Sequence, residues 1–169
     1  DPVMGNYDER YIFTRVGYNL RMTDIAASLG IEQLKKLDAL NATRVKVVNE
    51  YHKHLTRYEK FLQLPTVRKG DFHSFYGYPF LVKKDAPFAR NDLALFLEER
   101  GIETRAFFAG CLPDQPGLRN QPIPISGFLP VTRYIRDQTI FIGCHPALTS
   151  EQIARVKRAF DEFFKQYEH

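Results

Sequence analysis

Residues 17–27 read GYNLRMTDIAA, and a long helical pattern begins within them. Thr23 is a residue type that often precedes a helix, and Asp24 places a carboxylate in the first turn, where the helix dipole favours negative charge. Apolar residues then recur at helical spacing through two successive runs. The pattern predicts one long helix over residues 23–60, or two helices with a break near Asn41.

Asn19 and Arg21 stand immediately before this helix, after the turn residue Gly17. Free backbone N–H groups and the positive end of the dipole make a helix N-terminus suitable for an anion. The asparagine amide and the guanidinium would add hydrogen-bond donors for a phosphate. Taken alone, these residues leave two interpretations open: a phosphate-contacting segment, or a turn shaped by Asn19 in which Arg21 pairs with Asp24.

Shorter elements are predicted downstream of the long helix. Pro79 falls inside an aromatic run and predicts an edge or bulged strand there. In chain order we expect a strand at 75–82, a helix at 91–100 that is capped by Asn91 and stopped by Gly101, and a strand at 102–108. A proline-rich loop at 109–130 follows. After it we expect a short helix at 131–137, a strand at 139–142 and a final helix that begins with a capping box of Thr149 and Gln152. This order predicts an α+β fold with a small mixed or antiparallel sheet.

Composition excludes several classes of protein. The 169 residues carry a formal net charge of +4 that is spread evenly, so no nucleic-acid footprint is expected. Cys111 and Cys144 form neither a CxxC pair nor a Cys/His ligand spacing, which argues against a metal site and a disulfide framework. No apolar stretch is long enough to span a membrane. We therefore expect a cytoplasmic protein without a membrane partner.

Catalytic motifs are missing from the sequence. It contains no GxSxG, no Walker loop and no GxGxxG. His52 and His54 are two positions apart on the predicted helix and would face different directions, so they cannot share a metal ion. No catalytic residue and no metal ligand is therefore assigned.

Residues 17–27 resemble the G-x-N-x-[RK]-[MI]-x-[DE]-[ILM]-x-A-A segment of the DegT/DnrJ/StrS family of pyridoxal-phosphate sugar aminotransferases. Arg44 also lies where this family keeps a basic residue. Three further stretches match in order: GIEQL at 30–34, GIETR at 101–105 and IGCHPALT at 142–149. The resemblance covers nearly the whole chain but only the C-terminal part of such an enzyme.

One branch of the family resembles the chain most closely. Residues 104–112 read TRAFFAGCL and precede Gln115-Pro116, which is similar to the T-R-x-x-F-A-G-N-L…Q-P stretch of the nucleotide-sugar 3-dehydrases. These include the CDP-4-keto-6-deoxyglucose-3-dehydrase. Cys111 replaces the asparagine of that branch.

The resemblance implies the small C-terminal domain of a fold-type I transferase that depends on pyridoxal phosphate, an α+β (α/β) unit. In it a small sheet packs with a long N-terminal helix and a C-terminal helix. Residues 1–22 would be a linker and cofactor-phosphate-contacting segment coming from the large domain. Residues 23–169 would be the small domain.

The resemblance also implies a function. The chain would be the C-terminal fragment of a nucleotide-sugar enzyme that uses pyridoxal or pyridoxamine 5'-phosphate. The activity implied is 3-dehydration of a 4-keto-6-deoxy sugar in deoxysugar and lipopolysaccharide O-antigen biosynthesis. Asn19 matches a residue that reaches the cofactor phosphate of the neighbouring subunit of a homodimer, while Arg105 and Phe108 match the side facing the nucleotide sugar. Arg21 is expected as a further substrate contact. Alone, the fragment should be inactive.

Two alternatives stay open. The first is a sugar aminotransferase of the same family, which would carry a lysine upstream where the dehydrases carry a histidine. The second is a non-catalytic, stand-alone dimerisation module that docks through the small residues of Ala26–Gly30. One dehydrase subgroup contains an iron–sulfur cluster. Its cysteine ligands lie upstream of the part of the family sequence that corresponds to residue 1, so this sequence does not indicate whether a cluster is present.

Overall fold

The computed structural model describes residues 18, 20, 22–108, 110–119, 122 and 124–168. They belong to two compact units, one ending at Leu37 and the other beginning at Asp38. The helices are α1 (Asp24–Leu55), α2 (Arg90–Glu99), α3 (Pro116–Arg119), α4 (Pro130–Gln138) and α5 (Ser150–Phe164). The strands are β1 (Leu62–Gln63), β2 (Tyr78–Val82), β3 (Thr104–Ala106) and β4 (Thr139–Ile142).

The described part of the first unit comprises residues 18, 20, 22 and 23 and the start of α1. The Ala26 N–H donates to Oγ1 of Thr23 over 3.3 Å, which confirms Thr23 as the cap. None of the described side chains in this unit is buried. The large apolar residues of this part of α1 are exposed, namely Ile25, Leu29, Ile31, Leu34 and Leu37.

The second unit is built on a four-stranded antiparallel sheet with the order β1-β2-β4-β3. Tyr78, Phe80 and Val82 of β2 and Ile140 and Ile142 of β4 are buried on one face, as the two-residue period of a strand requires. Residues of α1, α2 and α5 complete the core on that face. The fully buried large side chains are Tyr51, Leu55, Leu62, Tyr78, Phe80, Leu93, Leu97, Ile140, Ile142, Phe160, Phe163 and Phe164.

Several sequence predictions are confirmed in detail. The long helix is a single α1 without a break at Asn41. The predicted strand at 139–142 coincides with β4. Thr149 and Gln152 form the expected capping box, with each side chain bonded to the backbone N–H of the other residue.

Two predictions need correction, and one strand was missed. β2 is an interior strand rather than an edge strand, but β1 pairs only with Leu81 and Val82, so at Pro79 the strand has a neighbour on one side only. Helix α2 is not capped by Asn91: it begins at Arg90, and the Asp92 carboxylate accepts the Ala89 N–H over 2.8 Å. Strand β1 was not predicted.

Candidate functional site

The face of the sheet opposite the core carries the candidate site. Arg105 on β3 stands directly opposite Phe141 on β4, and Phe141 in turn stands opposite Pro79 on β2. The neighbours of Phe141 along β4, Ile140 and Ile142, are buried in the core. Because side chains alternate along a strand, Arg105 and Phe141 share the outer face.

A tight turn after β3 positions Phe108. Its backbone lies in the left-handed region at φ 50°, and its N–H donates to the Ala106 carbonyl over 2.7 Å. A left-handed backbone is uncommon for a residue with a bulky side chain. The Phe108 ring is 70% exposed, so the structure holds a large apolar side chain in solvent.

Three aromatic rings form a cluster beside Arg105. The Phe108 centroid lies 5.8 Å from that of Phe141 and 6.3 Å from that of Tyr76, and the Tyr76 and Phe141 centroids are 5.9 Å apart. Tyr76 is 78% exposed. We call Tyr76, Phe108 and Phe141 the aromatic platform. Exposed rings of this kind can stack against a planar or apolar ligand group.

The aromatic platform and Arg105 border one cavity of about 710 Å³. Arg105 is exposed and its guanidinium forms an ion pair with Glu103. An exposed pair contributes little stability. The Arg105 guanidinium can therefore exchange this partner for a ligand anion at small cost.

An ionic cluster fixes the segment that follows the turn. Arg133 on α4 binds Asp114 through two hydrogen bonds of 2.8 Å, and Arg136 donates to the same carboxylate over 2.5 Å. The hydrogen bond from Arg133 is the main reason that the Asp114 pKa is lowered to about 2. The bidentate contact ties residue 114 to α4.

Three histidines have structural partners. His52 Nδ1 lies 3.1 Å from the Tyr78 hydroxyl, and His54 Nε2 lies 2.8 Å from an Asp161 carboxylate oxygen. His73 Nδ1 accepts the Phe75 N–H over 2.9 Å. The different partners of His52 and His54 agree with their expected opposite directions on α1. Within the described residues, no group of three side chains is arranged to hold a metal ion.

The structure brings two of the four predicted site residues together. Arg105 and Phe108 border the same cavity. Asn19 and Arg21 lie outside the described residues. Sequence reasoning missed Tyr76 and Phe141, because their proximity depends on strand register that a single sequence does not reveal. A prediction that β3 pairs with β4 would have placed Phe141 beside Arg105.

Comparison with known proteins identifies the class. The model of the DegT/DnrJ/EryC1/StrS aminotransferase family matches residues 3–161, and the chain belongs to this family. It is 35% identical over 158 residues to the lipopolysaccharide biosynthesis protein RfbH of Salmonella typhimurium, covering 94% of this chain and 36% of that protein. It is 32% identical to the dTDP-4-dehydro-2,6-dideoxy-D-glucose 3-dehydratase of Saccharopolyspora spinosa, covering 93% and 34%.

The fold agrees with this assignment. The aminotransferase from Psychrobacter cryohalolentis superposes with a TM-score of 0.81 at 21% identity, over 92% of this chain and 42% of that one. The chain therefore has the fold of one part of such enzymes, and it spans about a third of the length of the two relatives named above. Among the described residues, no helix combines the length and the apolar character needed to cross a membrane.

Proposed function

We propose that the chain is the C-terminal portion of a nucleotide-sugar 3-dehydrase that acts on a 4-keto-6-deoxy sugar in deoxysugar or lipopolysaccharide biosynthesis. The observation that carries this proposal is the similarity at 30% identity or more to a lipopolysaccharide biosynthesis protein and to a sugar 3-dehydratase. The stretch at 104–112 that resembles the dehydrase branch contains both Arg105 and Phe108 of the candidate site.

The proposed cofactor is pyridoxal or pyridoxamine 5'-phosphate, held by the full-length protein. When bound, its ring supplies the electron sink that the chemistry at the sugar needs. In this proposal residues 1–22 join the small domain to the large one, and Asn19 contacts the cofactor phosphate of the neighbouring subunit. That contact rests on the family resemblance, since Asn19 lies outside the described residues.

The small domain would contribute substrate contacts. Arg105 is an exposed cation with a weakly held partner, suited to an anionic group of a nucleotide sugar. The exposed Phe108 ring offers an apolar surface to a base or a sugar ring. Arg21 is proposed as a further substrate contact on the resemblance alone.

A product assay tests the function. The complete reading frame would be expressed and incubated with pyridoxamine phosphate, glutamate and a nucleotide-linked 4-keto-6-deoxy sugar, and the product followed by mass spectrometry. A dehydrase yields a sugar without its C3 hydroxyl. The alternative, a sugar aminotransferase, is favoured by the family to which the chain belongs and yields a sugar in which an amine replaces the C4 carbonyl oxygen. Absence of both products contradicts the proposal and leaves a non-catalytic module.

A substitution tests the role of Arg105. We expect Arg105→Ala in the full-length enzyme to raise KM for the nucleotide sugar about tenfold, as loss of one charge-assisted contact would. Arg68→Ala removes another exposed guanidinium, outside the candidate site, and serves as the control. An unaltered KM in Arg105→Ala would assign Arg105 a purely structural role.

A further inference from the structure

A second cavity, of about 580 Å³, lies against the candidate site and shares Tyr76, Glu103, Arg105 and Phe141 with it. It extends between α1, the loop after β4 and the start of α5. The polar residues that distinguish it from the first cavity are Arg44, Tyr51, His145, Gln152 and Arg155. We call it the basic cavity.

The charges around the basic cavity are mostly positive. Three guanidinium groups line it, against the single carboxylate of Glu103. Glu103 pairs with Arg105, and Arg155 donates to the Arg100 carbonyl. Arg44 makes no ion pair with any residue that the structure describes. Among the described residues, the Arg44 guanidinium in the cavity wall therefore has no carboxylate partner.

Tyr51 provides a second, independent observation. Its side chain is 1% exposed, and its hydroxyl finds no hydrogen-bond partner among the described residues. A buried polar group without a partner is rare in folded proteins and destabilises them. Burial raises the Tyr51 pKa to about 12, so the phenol keeps its proton near neutral pH and can donate.

Two further side chains in the basic cavity have a hydrogen-bond donor that remains available for a ligand. His145 Nδ1 accepts the Ala147 N–H over 3.1 Å, which leaves the ring proton on Nε2. Gln152 accepts the Thr149 N–H through its Oε1 over 2.8 Å, which leaves its amide NH₂ group as donor. Arg44, His145 and Gln152 thus offer hydrogen-bond donors to the cavity, and the Tyr51 hydroxyl can donate as well.

We infer that the basic cavity is an oxyanion-binding site, in which Arg44 and the Tyr51 hydroxyl hold a phosphate or carboxylate group. A guanidinium fork matches the geometry of either anion, and a buried phenol adds one directed hydrogen bond. Two sources share this chemistry: the phosphates of a nucleotide and the carboxylate of an amino acid. The inference does not depend on which reaction the full-length protein catalyses.

A binding experiment without cofactor or turnover tests the site, so its failure is distinguishable from failure of the proposed function. The full chain would be titrated with inorganic pyrophosphate and, separately, with L-glutamate at constant ionic strength, with NMR shifts as the readout. We expect saturable binding of at least one ligand, and an affinity about tenfold lower in Arg44→Gln. Arg158→Gln removes the same charge from an exposed position outside the cavity and should bind normally.

Tyr51→Phe isolates the hydroxyl, because the ring remains. We expect several-fold weaker binding with no loss of thermal stability, since the variant removes an unpartnered group. Arg44→Lys keeps the charge and serves as a second variant if Arg44→Gln does not fold. Binding of pyrophosphate alone assigns a phosphate site, and binding of glutamate alone assigns a carboxylate site. Absence of saturable binding, or equal weakening by Arg44→Gln and Arg158→Gln, overturns the inference.

Discussion

At the scale of single residues, Asp114 shows how one carboxylate can organise a loop. Two arginines of α4 bind it, and its pKa lies at about 2 compared with an ordinary value of 3.8. A group whose pKa is lower in the folded state stabilises the fold above its unfolded pKa, and this stabilisation is lost as the pH falls through the folded pKa. The contribution of Asp114 should thus be complete at neutral pH.

We expect Asp114→Asn to lower the melting temperature at pH 7. The difference from wild type should persist down to about pH 4, shrink as the pH falls further and be lost as the pH falls below the folded pKa of about 2. Melting curves over this pH range measure it. Asp85→Asn, in an exposed turn, is the matched control. A difference that does not change with pH would show that the ionised carboxylate is not what holds the loop.

Residue-scale chemistry was only partly accessible from the sequence. Arg105 and Phe108 were found because they lie in a recognisable stretch. Tyr51 gave no such signal. Its helical spacing predicts a core residue, and it is one, yet the residue also lines a cavity, and its buried hydroxyl has no partner among the described residues. Whether a buried hydroxyl finds a partner depends on packing in three dimensions, which spacing along one helix does not determine.

At the scale of elements, two glycines illustrate opposite requirements. Gly101 ends α2 with φ +70°, and a Cβ there would lie 2.6 Å from Nη2 of Arg155. Gly30 lies inside α1, and a Cβ there would meet nothing within 4 Å. Only the first position needs a residue that tolerates a left-handed backbone.

We expect Gly101→Ala to lower the free energy of unfolding by about 1–2 kcal/mol. The same change at Gly30 should raise it by about 0.5–1 kcal/mol, because alanine is the better helix former. Urea denaturation of the two variants beside wild type measures both. A loss of stability in Gly30→Ala would instead indicate that another backbone packs closely on the Ala26–Gly30 surface.

Helices with a long apolar pattern or a capping motif were predicted well from the sequence. The positions of strands that depend on pairing with other strands were not. Helices α1 and α5 each carry a periodic or capping signal of their own. Strand β1 has two residues, too few for any periodicity. The interior position of β2 was missed because Pro79 indicates an edge, and only the shortness of β1 lets a proline occur there.

At the scale of the whole molecule, the chain covers about a third of the length of its named relatives. The first unit exposes five large apolar side chains of α1 and buries none of its described residues. A helix with so much exposed apolar surface is typical of one that is covered in a larger assembly. This fits the proposal that the complete enzyme is a homodimer with a large cofactor domain.

A contact between subunits gives the last prediction. If Asn19 donates to the cofactor phosphate of the neighbouring subunit, Asn19→Ala in the full-length protein should weaken cofactor binding about tenfold, since a hydrogen bond to a charged group is lost. Cofactor absorbance that remains after extensive dialysis measures retention. Asn91→Ala, at an exposed position of α2, is the control.

The same contact makes retention depend on assembly. Because Asn19 would act across the dimer, dilution that dissociates wild-type subunits should release cofactor, whereas Asn19→Ala should already have lost it at concentrations where the dimer is intact. Sedimentation velocity under the same conditions separates dissociation from local loss. Full retention in the intact Asn19→Ala dimer would remove Asn19 from the cofactor site and leave it as a turn residue before α1.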